Sequence, residues 1–480
     1  MTQAQTGRTL EAGFQQRHED AGQLDKSARQ KAIYPVIMSG GAGARLWPVS
    51  RPDMPKPFIR MPDGESLIEK TYIRAMGLPH VKGVLTLTNR EFLFKTDEAY
   101  RGHASEEGGE NAYILEPVGR DTAAAVALSA VHAAMRMGPE TILLIMPADH
   151  IIAKQKAFAE AVGQAARLAE AGKIVTFGIA PSRPETGYGY IQASGNEVVR
   201  FVEKPSLEVA LSYLESGDYL WNAGIFCFRA DVMLEEMKRH MPDILDGVMQ
   251  CYRAARGSDG MEKPYVYLEE ESFKQVRAVS IDYALMEKSD KTAVIPCDIG
   301  WSDVGTWASI SETLNACEKN NRISGNVVLH EVKNCFIQGG ARTIGVVGAE
   351  DLIVVDAEDA LLITTHEHAQ NVKKLVEKIR LSEPIQSSPE ERGVYDWGRL
   401  ETLEDAPDYR AARLEIHAGA AAVLPKDGFA NAVAVVMAGS AAVEGEMLHP
   451  GMTASFGADA AWTVDNTGAE ILVVLLTFYR

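Results

Sequence analysis

The stretch Ile33–Phe58, IYPVIMSGGAGARLWPVSRPDMPKPF, decides how the chain is read. Its apolar run, Tyr34, Val36, Ile37 and Met38, predicts a buried strand. The strand breaks into Ser39-Gly40-Gly41-Ala42-Gly43, a loop almost free of side chains. Backbone without β-carbons can approach a phosphate chain closely and aim N–H groups at it. Arg45 and Lys56 follow and add fixed positive charge. The expectation is a triphosphate cradle at the carboxyl end of a first β-strand. It is not a Walker A loop, because no Gly-Lys-Ser/Thr follows the glycines, and the spacing is not G-x-G-x-x-G. The glycines alone would equally suit a plain strand-to-helix turn.

Arg45-Leu46-Trp47-Pro48 and Pro55-Lys56-Pro57 extend the pattern. Together with the glycines they resemble the signature of sugar-nucleotide pyrophosphorylases, close to GGSGTRLWP…PKQF. Ala42 and Ala44 stand where Ser and Thr are common, which keeps the loop open. Pro57 stands where Gln is common and removes a polar side chain.

At 480 residues the chain predicts two or three domains. A net charge of −18 implies no general attraction to nucleic acid or membrane, so an anionic nucleotide must be held by a local cluster of cations. The five cysteines (Cys227, Cys251, Cys297, Cys317, Cys335) are dispersed without CxxC spacing, which suits reduced thiols in a cytoplasm. No apolar run reaches membrane-spanning length. Residues 1–30 are polar, lack an apolar h-region and read as a flexible tail.

Downstream, Ser66–Met76 has helical spacing, Gly83–Thr88 and Ala112–Leu115 read as strands, and an alanine-rich helix runs over Thr122–Met137. Thr141–Met146 reads as a buried parallel-type strand ending in Pro147-Ala148-Asp149-His150. This alternation predicts a doubly wound α/β domain with ligands beyond the strands' carboxyl ends. Asp149 suits either a helix N-cap or a carboxylate for Mg²⁺, a hard cation that takes oxygen ligands. The resemblance supplies a second carboxylate, Asp303, in Gly300–Trp307. Two acids distant in sequence at strand ends can then converge on one ion.

Glu116-Pro117-Val118-Gly119-Arg120-Asp121-Thr122 is a loop leading to a capped helix. The resemblance places base and ribose near it, through Glu116, Gly119 and Arg120. Asp121 stands where Asn is common, and no contact is assigned to it. Three later segments offer sugar-side groups: Gly189 in TGYGYI, Glu203 and Lys204 in FVEKP, and Asn222 in WNAGIF. Alone, Glu203-Lys204 reads as a solvated surface pair. In this order, and with Asp282 in Ser280–Lys288, they resemble the sugar-phosphate half of a mannose-1-phosphate guanylyltransferase.

The motifs cover roughly residues 33–310. Short β-rich pieces between Ile323 and Ile363 suit a small β-solenoid. The family often has a left-handed β-helix there, for packing and subunit contact. His366-Glu367-His368 reads as a strand-to-helix turn rather than a metal site. Residues 393–480 look all-β and resemble the cupin domain that isomerises mannose 6-phosphate and fructose 6-phosphate in bifunctional relatives. The stretch Leu424–Val433 stands where that isomerase carries metal-binding His and Glu. It holds no histidine, and Asp427 is its one carboxylate. A later family His falls opposite Trp462, and His417 and His449 lie outside the matching positions. A transition-metal site needs several ligands at once.

The expected architecture is therefore α/β. A flexible tail (1–30) precedes a Rossmann-like doubly wound nucleotidyltransferase domain (31–318). A β-helix-like segment with a helix (319–381), a linker (382–392) and a degenerate cupin-like β-barrel (393–480) follow. The resemblance implies GTP + α-D-mannose 1-phosphate → GDP-mannose + diphosphate, assisted by Mg²⁺. Ser39, Gly40, Gly41, Gly43 and Arg45 would hold phosphates, and Lys56 would lie near the α-phosphate. Asp149 and Asp303 would hold the ion, and Gly189, Glu203, Lys204, Asn222 and Asp282 the sugar phosphate. The expected location is the cytoplasm, with a homo-oligomer through the β-helix-like or cupin-like part left open. Three alternatives stay open: another hexose 1-phosphate or nucleotide, a bifunctional enzyme with unrecognised isomerase residues, and a non-catalytic nucleotide-sugar sensor.

Overall fold

Twelve strands organise the first part of the chain in a computed structural model. They are β1 (Ile33–Met38), β2 (Leu85–Asn89), β3 (Ala112–Glu116), β4 (Ile142–Pro147), β5 (Ile151–Ile152), β6 (Ile174–Ile179), β7 (Gly189–Ser194), β8 (Glu197–Glu203), β9 (Tyr219–Arg229), β10 (Tyr265–Tyr267), β11 (Thr292–Pro296) and β12 (Trp301–Ser302). The structure describes residues 32–480 apart from Ala42, Asp53, Pro62, 104–110, 257–264, Ala341, Glu358, 383–391, Asp396, 425–427, Glu444, 458–461 and Ala469. The tail expected over 1–30, nearly all of the expected linker, and Asp427 lie outside the described residues.

Ten of the strands form one sheet in the order β10-β3-β2-β1-β4-β9-β6-β11-β8-β7. The segment β10-β3-β2-β1-β4 is parallel throughout. Strand order reverses at β1, which has β2 on one side and β4 on the other. In such sheets the crevice for a ligand opens where the order reverses, outside the carboxyl ends. Those ends are the glycine loop after β1 and Ala148-Asp149 after β4, and the Ala148 N–H donates to the Met38 carbonyl at 3.0 Å. The other half is not the parallel extension that strand–helix alternation suggests. Strand β9 runs antiparallel to both β4 and β6, and the β7–β8 hairpin closes the edge against β9 and β11. The sugar-side motifs ride on this antiparallel insert.

Successive residues of β1 alternate between two apolar layers. Val36 joins the layer beneath the helices Asp121–Arg136, Ala230–His240 and Pro242–Arg256, and Ile37 the layer beneath Leu67–Met76 and Gln155–Glu170. The first of these helices is buried over most of its length, with Ala123, Ala124, Ala127, Ala130 and Ala133 letting its neighbours approach closely. Ser66 starts Leu67–Met76 through a capping box with Glu69.

A third apolar cluster joins Leu46, Ile59 and Leu67 beside the nucleotide loop to Val304, Trp307, Phe336, Ile353 and Leu362. The last three belong to the β-helix, in which Arg322–Ser324, Phe336–Gln338 and Leu352–Asp356 stack in parallel and Leu361–Thr365 adds an antiparallel edge. Val327–His330 and Ile344–Val347 form its second wall. Its corners repeat: Asn320, Asn334 and Asp351 all have positive φ (59°, 51° and 59°). Their side chains form a ladder in which Asn320 Nδ2 donates to Asn334 Oδ1 at 2.6 Å and Asn334 Nδ2 donates to Asp351.

The chain divides into two compact units, ending at Val376 and starting at Glu377. The second is a cupin-like β-barrel of six-stranded and four-stranded antiparallel sheets. Leu414, Ile416, Phe429, Phe456, Trp462, Val474 and Phe478 fill its core. Among the described residues, no helix is long and apolar enough to cross a membrane.

Candidate active site

At the nucleotide end the site begins with bare backbone. Ser39 N–H donates to the Leu87 carbonyl at 2.8 Å, which fixes the start of the loop. Gly40 and Gly41 are exposed, and a β-carbon on either would meet nothing within 4 Å. Gly43 is different: with φ of 61°, a β-carbon there would sit 2.6 Å from Lys56 Cβ. Glycine is what lets Lys56 close in beneath the loop. Lys56 is 8% exposed. Its Nζ donates to Asp149 Oδ2 at 2.8 Å and to the Asp303 carbonyl at 2.5 Å.

The two acids converge through a short ribbon. Strand β5 begins two residues after Asp149, and β12 ends one residue before Asp303. The strands pair antiparallel, Ser302 with Ile151 and Trp301 with Ile152. Asp149 is therefore followed by a strand, not a helix; the next helix starts at Gln155, which removes the N-cap reading. After Asp303 the chain turns through Val304, fully buried at φ 49°, an uncommon conformation for a β-branched residue. The turn brings Gly305 N–H to Asp303 Oδ1 at 3.2 Å. A β-carbon on Gly305 would lie 2.5 Å from Asp303 Oδ2.

Electrostatics acts in opposite senses on the charges of Asp149 and His150. Burial alone would raise the Asp149 pKa, but Lys56, with help from His150, outweighs it and holds the carboxyl below its ordinary range. Burial pushes His150 down, against the pull of Asp149. His150 Nδ1 accepts from the Trp301 indole N–H at 3.2 Å, so the neutral ring carries its proton on Nε2, 3.7 Å from Asp149 Oδ1.

The sugar-side residues gather at the inner end of the β7–β8 hairpin. Gly189 and Glu203 are direct cross-strand partners, and a β-carbon on Gly189 would meet Glu203 Oε2 at 2.5 Å. The Glu203 side chain is 7% exposed and takes Lys204 Nζ at 2.9 Å, so the carboxylate half of this pair is buried while the lysine stays exposed. Asn222 Nδ2 donates to Asp282 Oδ1 at 2.9 Å, while Asn222 Oδ1 accepts from Thr176 at 2.7 Å. Burial, and then Glu203, push the Asp282 carboxyl up to about 7.

The comparisons with known proteins agree with this layout. The model of the nucleotidyl transferase family matches residues 34–320, and that of the MannoseP isomerase/GMP-like beta-helix domain matches 325–379. The mannose-1-phosphate guanylyltransferase of Escherichia coli K12 is 39% identical over 402 residues, 81% of this chain and 82% of that protein. Its counterpart ManC in Salmonella typhimurium LT2 is also 39% identical, over 82% of both. The chain belongs to the mannose-1-phosphate guanylyltransferase family. Among solved structures, one described as a mannose-1-phosphate geranyltransferase from Thermus thermophilus superposes with a TM-score of 0.63 at 32% identity, covering 73% of this chain and all of that one. The chain is a nucleotidyltransferase.

Lys56, Asp149 and Asp303 thus stand in one cluster, and Gly189, Glu203, Lys204, Asn222 and Asp282 in another. Two other expected residues are engaged elsewhere. Arg45 NH1 donates to Gln370 Oε1 at 2.9 Å, on the turn that follows the β-helix. The Arg120 guanidinium donates to the carbonyls of Phe273 and Lys274. Gly119 is exposed and open. Glu116 ends β3, and its Oε1 is shielded from solvent with no hydrogen-bond partner among the described residues. Burial pushes this carboxyl up to about 8. Sequence reasoning missed Tyr188, whose hydroxyl donates to Asp303 Oδ1 at 2.5 Å, and Trp301, which sets the His150 tautomer. The aromatic in TGYGYI was the available signal for the first.

Proposed function

We propose that the chain catalyses GTP + α-D-mannose 1-phosphate → GDP-mannose + diphosphate. A phosphate oxygen of the sugar phosphate attacks the α-phosphorus in line. One P–O bond forms, the bond to the β-phosphate oxygen breaks, and no covalent enzyme intermediate is needed. Catalysis of this kind is positioning and charge neutralisation. In this reading Ser39, Gly40, Gly41 and Gly43 cradle the β- and γ-phosphates with Arg45, which exchanges Gln370 for phosphate, and Lys56 meets the α-phosphate. Glu203 and Asn222, with Asp282 behind Asn222, take mannose hydroxyls, and Lys204 the sugar phosphate.

The observation that carries the reading is the convergence of Lys56, Asp149 and Asp303 at the reversal of strand order, on the same ribbon whose aromatic neighbours reach the sugar-side cluster. Asp149 and Asp303 fit Mg²⁺: both offer carboxylate oxygens, Asp149 is held ionised, and Asp303 Oδ2 makes no hydrogen bond among the described residues. Mg²⁺ there would offset phosphate charge as the nucleophile approaches. Glu116 supports guanine. When guanine binds, its N1–H and N2–H₂ donors would favour the ionised carboxylate over the proton that burial otherwise keeps there, whereas adenine presents an acceptor at N1. Arg120 in this reading shapes the loop through its carbonyl bonds, and Gly119 leaves room for the ribose. Absence of isomerase activity is supported by the aromatic filling of the barrel.

The test is diphosphate release over a matrix of nucleoside triphosphates and sugar 1-phosphates. Release is expected to be highest with GTP and mannose 1-phosphate and to vanish in Asp303→Ala with the circular dichroism unchanged. Turnover of Asp303→Ala near wild type at ordinary Mg²⁺ would overturn the two-carboxylate assignment. A preference for another sugar phosphate would overturn the substrate.

A further inference from the structure

Tyr188 occupies a junction that none of the expected roles uses. It immediately precedes Gly189 at the sugar side, and its carbonyl accepts the Lys204 N–H at 3.1 Å. Its ring meets Trp221 edge-on at 5.3 Å between centroids, and Trp221 immediately precedes Asn222. On the other side it meets Trp301 at 5.2 Å. Trp301 packs edge-on against His150 at 5.5 Å and donates to it, and His150 adjoins Asp149. The Tyr188 hydroxyl itself donates to Asp303 Oδ1. One side chain therefore links the sugar-side strands to Asp303 directly, and to the Asp149 arm through Trp301 and His150.

The bond to Asp303 is directional in a useful way. Tyr188 O–H and Gly305 N–H both take Oδ1, leaving Oδ2 unengaged. Oxygens fixed in this manner by outer-shell donors are presented to a cation at lower ordering cost. Any shift of the Thr186–Gly189 loop on seating a sugar phosphate moves the tyrosine that aims Asp303.

We propose that Tyr188 is a positioning residue that couples the sugar-phosphate subsite to the cation subsite, so that mannose 1-phosphate tightens divalent-cation binding and the cation tightens mannose 1-phosphate. The coupling is reciprocal by linkage, and the proposal rests on the placement of the cation at Asp149 and Asp303 given above. It concerns binding, and the role of Tyr188 in it is to position Asp303.

The experiment uses the full chain with the non-cleavable α,β-methylene analogue of GTP, so that no turnover occurs. Free Mn²⁺ is counted by electron paramagnetic resonance with and without mannose 1-phosphate, for wild type, Tyr188→Phe and Asp303→Asn. Phenylalanine keeps the ring between its two tryptophans and removes the hydroxyl alone. The expected result is Mn²⁺ binding tightened about fivefold or more by mannose 1-phosphate in wild type, and by less than about twofold in Tyr188→Phe, with Mn²⁺ binding retained there. Equal tightening in both proteins, or none in wild type, overturns the proposal while leaving the cation site standing. If Asp303→Asn binds Mn²⁺ as wild type does, the cation placement falls and the coupling with it. As a second readout, the KM for mannose 1-phosphate should depend on Mn²⁺ concentration in wild type and lose that dependence in Tyr188→Phe.

Discussion

Glu116 and Asp282 are two buried carboxyls that the nucleotidyltransferase keeps at a cost. Burial lifts the first to about 8; burial and Glu203 lift the second to about 7. In the unfolded chain both return to the ordinary range near 4. Between those values the folded state holds protons that the unfolded state has released, so stability falls as pH rises from about 4 to the folded values and is level above them. The measurement is the thermal midpoint between pH 5 and pH 8.5 for wild type and for the Glu116→Gln/Asp282→Asn pair. The pair is expected to flatten the decline by several kcal/mol, about 1.4 kcal/mol for each pK unit between pH 5 and the two folded values, and parallel curves would refute it. Penalties of this kind concentrate at functional sites. Both residues were legible as site candidates because each sits in a motif at a strand or helix end. Their titration was not, because it depends on which atoms lose contact with water. Tyr188 was harder still: the direction of its hydroxyl follows from the β7 register and the two tryptophan rings, neither of which the local sequence specifies.

Among the elements, the long apolar strands and the alanine-rich helix read directly from periodicity. The two-residue ribbon β5–β12 did not, since a pair of residues carries no period, yet it unites Asp149 and Asp303 across 154 positions of sequence. The antiparallel β9 also escaped, because a buried strand shows the same apolar run in either direction. The β-helix was legible from its repeating short strands, but its corners were not. There the Asn320–Asn334–Asp351 ladder pairs a left-handed backbone with side-chain hydrogen bonds between rungs. Asn334 serves both purposes, and two substitutions separate them. Asn334→Gly removes the ladder bonds while keeping easy access to φ 51°, whereas Asn334→Ala removes the bonds and adds the strain. Alanine in that region costs about 1–2 kcal/mol. Both variants should unfold at lower denaturant than wild type, with Asn334→Ala lower than Asn334→Gly by about 1 kcal/mol. Equal midpoints for the two would show that the ladder, not the backbone, sets the corner.

At the scale of the whole molecule, the question is how many active sites one chain carries. The nucleotidyl-transfer unit brings the ion pair of buried Lys56 with Asp149 and the strained backbone at Val304 to a single crevice. The barrel is organised differently. Trp462 is 1% exposed, its ring centroid lies 5.9 Å from that of Phe478 and 6.1 Å from that of Phe456, and its indole N–H is satisfied by the Gly457 carbonyl at 2.8 Å. Phe429 closes the other side of Phe478 at 5.9 Å. A barrel that bound a sugar phosphate over a metal would need that space and several ligands facing it. Among the described residues no group of three or more His, Cys, Asp or Glu side chains converges. His449 hydrogen-bonds Ser440 at 3.3 Å. The aromatics read as packing, so they should behave as packing. Trp462→Ala is expected to cost about 3–5 kcal/mol, the usual loss for a large buried aromatic, and to open no activity. The full chain, wild type or variant, incubated with mannose 6-phosphate and Zn²⁺, Co²⁺ or Mn²⁺, should yield no fructose 6-phosphate in a coupled assay. Formation of fructose 6-phosphate by the wild-type chain would place isomerase residues outside this core and make the enzyme bifunctional. Metal-dependent product in Trp462→Ala alone would mean that the indole blocks a site whose ligands are still present.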